Sequence, residues 1–99
     1  MDIQDANGTT PLMHAVTTKN IKLVKELLAA KADVNLVDKY GQTALMLAAG
    51  RNFLGAIKQL IAAKTNLALV SKSNLTALGY ATDNGNSEAA KLIRNAGGK

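Results

Sequence analysis

Cysteine is absent from the 99-residue chain, which removes disulfides, thiolate nucleophiles and cysteine-ligated metals and leaves thiol usage silent on compartment. No apolar run approaches the roughly 20 residues that a membrane-spanning helix needs. The N-terminus also lacks the basic-then-apolar order of a secretory leader, so a cytoplasmic location is the default expectation. No Gly-x-Gly-x-x-Gly pattern occurs, and the Ala96-Gly97-Gly98-Lys99 ending has no helix after it to complete a phosphate loop. His14 is the only histidine. With no second histidine, no cysteine and no paired carboxylate beside it in sequence, it assembles neither a metal site nor an activated nucleophile. Catalysis, a bound metal and a cofactor are therefore not expected. Acidic residues are missing from Lys39 to Ser73, where Lys39, Arg51, Lys58, Lys64 and Lys72 supply five positive charges, as many as the net charge of +5.

What is present is ordinary for a folded chain, with 47% hydrophobic and 19% charged residues, a balance outside the range of disordered segments. The length fits one domain, although a single compact core of this size is only modestly stable. A regular array fits better, and the sequence carries one. Asp5-Ala6-Asn7-Gly8-Thr9-Thr10-Pro11-Leu12-Met13 returns 33 positions later as Asp38-Lys39-Tyr40-Gly41-Gln42-Thr43-Ala44-Leu45-Met46. It returns again, weakened, as Ser71-Lys72-Ser73-Asn74-Leu75-Thr76-Ala77-Leu78-Gly79. Val24-Lys25-Glu26-Leu27-Leu28 likewise matches Ile57-Lys58-Gln59-Leu60-Ile61 and Ala90-Lys91-Leu92-Ile93-Arg94, with no insertion between units. Three units run over 5–37, 38–70 and 71–99 within one domain.

Each unit reads as a turn followed by two short helices. Asp-x-x-Gly supplies turn chemistry, since the carboxylate bonds its own backbone and glycine takes positive φ freely. Thr10, Thr43 and Thr76 stand where they cap a first helix, and Pro11 falls in its first turn, where a missing N–H costs nothing. Ala15, Ala48, Ala49 and Ala81 let neighbouring helices approach closely. A second helix follows from the spacing of Ile21, Val24, Leu27 and Leu28, and of Leu54, Ile57, Leu60 and Ile61. The predicted helices are 10–18, 20–30, 43–51, 53–63, 76–84 and 86–96. Lys25, Lys58 and Lys91 share one slot and mark the solvated outer face. No unit buries its apolar side alone, so the units stack into an all-α solenoid.

The Asp-x-x-Gly-x-Thr-Pro-Leu run at 5–12, followed by Ala-Asp-Val-Asn at 32–35, closely resembles the ankyrin repeat family, and the resemblance covers essentially the whole chain. It implies a three-repeat ankyrin stack. Several positions depart from the family pattern. Met13, Met46 and Gly79 stand where the family usually has histidine, so the bonds between repeats that such a histidine makes are expected to be absent. The loop glycine after the second helix is Lys31 and Lys64 in the first two units and Gly97 in the last, which costs a little if the chain still takes positive φ there. Arg94, in the slot of Leu28 and Ile61, makes the last unit read as a polar cap. The apolar Ile21, Leu23 and Val24 leave the first unit open to reading as the sequel of an upstream repeat.

The resemblance also implies where a partner binds: on the concave surface of turn tips and first helices. The matching positions include Asn7 and Thr9 in the first unit, Lys39, Tyr40, Gln42 and Arg51 in the second, and Lys72, Leu75 and Asp83 in the third. Tyr40 and Arg51 are of the types enriched at interface hot spots and form the expected centre; Leu75 reads equally well as packed on the hairpin stack. Phe53 and Tyr80 read as core. The expected function is protein–protein recognition by a soluble monomer without a membrane role. Two alternatives stand beside it. One is a nucleic-acid or acidic-polymer binder using the basic middle unit, less favoured because Lys58 belongs to an outer helix while Lys39 and Lys72 belong to turns. The other is a repeat block from a longer protein.

Overall fold

Pro11, Ala44 and Ala77 each open a helix for the same local reason: a threonine stands just before them in extended backbone. In this computed structural model, which describes residues 4–98, the Oγ1 atoms of Thr10, Thr43 and Thr76 accept from the backbone N–H of Met13, Met46 and Gly79 at 3.1, 3.2 and 3.2 Å. Each bond satisfies one of the donors that a helix start leaves open. The helices so begun are α1 (Pro11–Thr17), α3 (Ala44–Gly50) and α5 (Ala77–Asp83), and each is followed by a longer partner: α2 (Ile21–Ala29), α4 (Leu54–Ala62) and α6 (Ser87–Asn95). Each predicted span exceeds the observed helix by one residue at either end, and that residue is the cap itself, as with Thr10 and Thr18 around α1.

Three backbone positions per unit take the left-handed conformation: Gly8, Gly41 and Asn74 in the turns; Lys19, Asn52 and Gly85 between the paired helices; Lys31, Lys64 and Gly97 after the second helix. The last slot closes α2, α4 and α6 by one motif. Lys31 N–H donates to the Leu28 carbonyl at 3.0 Å and Ala32 N–H to that of Leu27 at 3.1 Å, with the same pairing repeated after α4 and α6. This is the paired C-terminal closure that favours glycine, here made with lysine twice.

The first helices α1, α3 and α5 pack side by side in one layer, and α2, α4 and α6 form a second layer against them. Ala15, Ala48 and Ala81, one per unit, are fully buried where the layers meet, as are Val24 and Ile57 of the second layer. Met13 and Met46, in the slot where the family usually has histidine, are buried side chains at 1% exposure. The Met46 sulfur lies 3.4 Å from the Thr43 N–H and accepts from it, closing the cap reciprocally through a weak acceptor. Lys25, Lys58 and Lys91 are all exposed on the second layer. Ile21 does not lie on the end of the stack: its Cδ1 would stand 3.3 Å from a Cβ placed on Gly55, so it faces the second unit.

Candidate partner-binding surface

The turns that precede α1, α3 and α5 form a row of hairpins, each fastened internally. Asp5 Oδ1 accepts from the N–H of Asn7 at 2.8 Å and of Thr9 at 2.9 Å; Asp38 Oδ1 accepts from Tyr40 and Gln42, both at 2.9 Å. These are Asx-type turns, in which a short carboxylate replaces a backbone acceptor. The N–H groups of Thr9 and then Asn7 are the main reason that the Asp5 carboxyl is held below its ordinary pKa, with a smaller push from His14. Both carboxylates are thus engaged in holding turns. In the third hairpin Ser71 takes the slot, its Oγ accepting from Ser73 N–H at 3.2 Å and from the Tyr80 hydroxyl at 2.8 Å.

Neighbouring hairpins are also tied to one another. Lys39 N–H donates to the Asn7 carbonyl at 2.8 Å, and Lys72 N–H to the Tyr40 carbonyl at 2.9 Å. This close approach is why Gly8 and Gly41 lack side chains: a Cβ on Gly41 would sit 3.0 Å from Lys72 N, and one on Gly8 3.0 Å from Asp38 Cα. The joined backbones bring Asn7, Lys39, Tyr40 and Lys72 into one row of exposed side chains. Tyr40 is 57% exposed, and the Lys39 ammonium stands over its ring, 5.1 Å from the centroid, a cation–π contact that orders both side chains.

The other sequence-predicted positions fall differently. Gln42 is half-buried and donates from Nε2 to the Tyr80 hydroxyl at 3.2 Å, so it links two units through a Gln42–Tyr80–Ser71 chain. Thr9 and Leu75 are half-buried too, and Leu75 Cδ2 would stand 3.1 Å from a Cβ on Gly79, which places it against α5. Arg51 and Asp83 are exposed at the far ends of α3 and α5. Tyr40 and Arg51 are therefore separated by the length of α3, about 10 Å. Between them every residue of α3 is buried except Leu47 and Gly50, which are half-buried.

Sequence reasoning passed over Val37 and Val70. They are 41% and 52% exposed and, with Tyr40, make up the exposed large apolar side chains among the described residues. The available signal was a β-branched residue directly before the turn, recurring at the 33-residue period. A cleft of about 250 Å³ at the α5–α6 end is lined by Thr82, Gly85, Asn86, Ser87, Ala90 and Arg94, and a more open one adjoins Asp5, Thr9, Thr10, Pro11 and His14. Among the described residues, no three His, Cys, Asp or Glu side chains converge as metal ligands, and no helix is long and apolar enough to cross a membrane.

Paired helices in two layers with a row of backbone-tied hairpins along one edge define a repeat solenoid of the hairpin-plus-helix-pair class. A family profile of three ankyrin repeats matches residues 12–99. The chain belongs to the ankyrin repeat family, whose members generally act as protein–protein interaction modules and typically as non-enzymatic scaffolds. No curated protein matches the chain.

Proposed function

We propose that this chain recognises a protein partner along its hairpin row, with Tyr40 at the centre and Val37, Lys39, Val70 and Lys72 around it. The observation that carries this reading is the placement of exposed apolar surface: Val37, Tyr40 and Val70 all lie in or beside the turns, none on the outer helices. Exposed apolar side chains grouped on a rigid, hydrogen-bonded edge favour a protein partner, because burying them stabilises a complex at little ordering cost. Arg51 and Asp83 form a second row at the helix ends, which a larger partner reaches across Leu47 and Gly50. Asn7, Thr9, Gln42 and Leu75 flank or support the first row.

The nucleic-acid or acidic-polymer alternative draws on Lys39, Arg51, Lys58, Lys64 and Lys72. These occupy the tips, the end of α3, the outer face of α4 and the loop behind it, which is a dispersed arrangement and not one track for a phosphate backbone. Capture from cell lysate at low and moderate salt, with the native chain beside Tyr40→Ala and Arg51→Ala, separates the readings. The protein reading expects a protein retained at both salts and weakened about 10- to 100-fold by Tyr40→Ala, a hot-spot magnitude, with a smaller effect from Arg51→Ala. Recovery of nucleic acid alone, lost as salt rises, contradicts it.

A further inference from the structure

We propose that the N-terminal end of the stack is a docking surface for one more repeat of this same type, seated ahead of residue 5 in the register of the joints already present. The slots that would face a preceding unit are marked by their exposure. Pro11, His14, Leu23 and Leu27 of α1 and α2, and Asn20 just before α2, are each more exposed than their counterparts 33 and 66 positions later. Leu27 is half-buried where Leu60 and Ile93 are fully buried. Three of these five slots, Pro11, Leu23 and Leu27, are apolar and half-buried, beside the exposed His14 and Asn20, whereas a terminal repeat closed to further stacking carries a polar outer face.

Two polar groups at this end stand in slots that hydrogen-bond across a joint, that of Ala6 at both joints and that of Asn20 at the second alone, since the first has Phe53 there. Asn86 Nδ2 bonds the unit before it, donating to the carbonyls of Ala49 at 2.8 Å and Gly50 at 3.2 Å. Asn20 is the same residue in the same slot; its Oδ1 caps α2 by accepting from Leu23 N–H at 3.2 Å, and its Nδ2 has no partner among the described residues. The backbone repeats the pattern. Lys39 and Lys72 donate their N–H groups to the preceding hairpin, and Ala6, in their slot, is exposed with its N–H unpaired among the described residues.

The opposite end has a different character. Thr82, Ser87 and Arg94 are exposed in slots where the earlier units carry apolar residues against a following unit, and Asn74 puts a side chain where the joints hold glycine. The occupant inferred for the N-terminal face is therefore a helix pair that arrives with the side it would turn toward a following unit, bringing the carbonyls at the end of its first helix to Asn20.

The test replaces residues 1–4 with a copy of residues 38–70 in the full chain and follows thermal unfolding. Because Leu23 is larger than the alanines in its slot, the fusion is made with Leu23 and with Leu23→Ala. The expected result is a single transition, at least about 5 °C above the unfused chain with the same residue 23, for one or both fusions. Asn20→Asp keeps the Oδ1 cap and removes the donor, so it lowers Tm in the fusion and not in the unfused chain. Fusions that both melt at the unfused temperature or in two steps, or an Asn20→Asp shift equal with and without the added unit, overturn the proposal.

Discussion

Replacing Lys31 and Lys64 by glycine should make this protein more stable. Both lysines are exposed and hold left-handed backbone, at φ 68° and 62°, while Gly97 serves the same closure at φ 100°. A side chain in this region costs about 1–2 kcal/mol relative to the right-handed helix region. Glycine relieves that cost but loses roughly 0.5–1 kcal/mol through its greater freedom in the unfolded chain. The balance is about 0.5–1 kcal/mol of gain per site, with the closing bonds from Lys31 N–H and Ala32 N–H left intact. For a domain of this size the double variant should raise Tm by roughly 5–10 °C, read by circular dichroism on a reversible melt. Two controls isolate the cause. The double alanine variant removes the same two charges and keeps the Cβ atoms, so it should show little of the gain. Lys25→Gly makes the same chemical change inside α2 and should cost about 1 kcal/mol. A double glycine variant no more stable than the native chain, or a double alanine variant that matches it, refutes the reasoning.

Further outcomes follow from the joints between units. Gly41→Ala should destabilise by about 2–3 kcal/mol, because positive φ is combined with a Cβ 3.0 Å from Lys72 N; Gly85→Ala, at φ 69° with nothing within 4 Å, should cost only about 1 kcal/mol, and urea titration of the pair separates close approach from backbone conformation. Asn86→Ala removes the two bonds to Ala49 and Gly50 and should lower stability by about 1–2 kcal/mol in the same assay. Asp5 has a lowered pKa in the folded chain, so the stability it contributes is fully present above the unfolded aspartate value of about 3.9 and is lost as pH falls through the lower folded value. Asp5→Asn should accordingly flatten the acid end of the stability–pH profile and leave its slope above pH ~5 unchanged.

The 33-residue period made the six helices legible because each boundary carries its own local chemistry: Thr10, Thr43 and Thr76 announce first helices, and Pro11 can only begin one. The left-handed turns at Gly8 and Gly41 were legible for the same reason. Orientation was not. Ile21 and Leu23 look alike in an apolar pattern, yet Ile21 meets Gly55 of the second unit, while Leu23 is half-buried in a slot where Ala56 and Ala89 are fully buried. Gln42 reads as a free turn residue and Leu75 fits a site or the hairpin stack equally, until Tyr80 is seen to accept from Gln42 across 38 positions and Leu75 to lie against Gly79. The exposure of Val37 and Val70 was hidden by their type, since β-branched apolar residues more often mark buried positions. Their place beside the hairpins follows from the backbone ladder, in which Lys72, two residues after Val70, donates to the Tyr40 carbonyl.

Hydrogen exchange of the chain with and without its captured protein partner tests the central claim most directly. The account predicts that binding slows exchange in the hairpins at residues 36–42 and 69–75 and leaves the exposed faces of α2, α4 and α6 unchanged. Protection confined to those outer helices, with the hairpins exchanging as in the free chain, would contradict it.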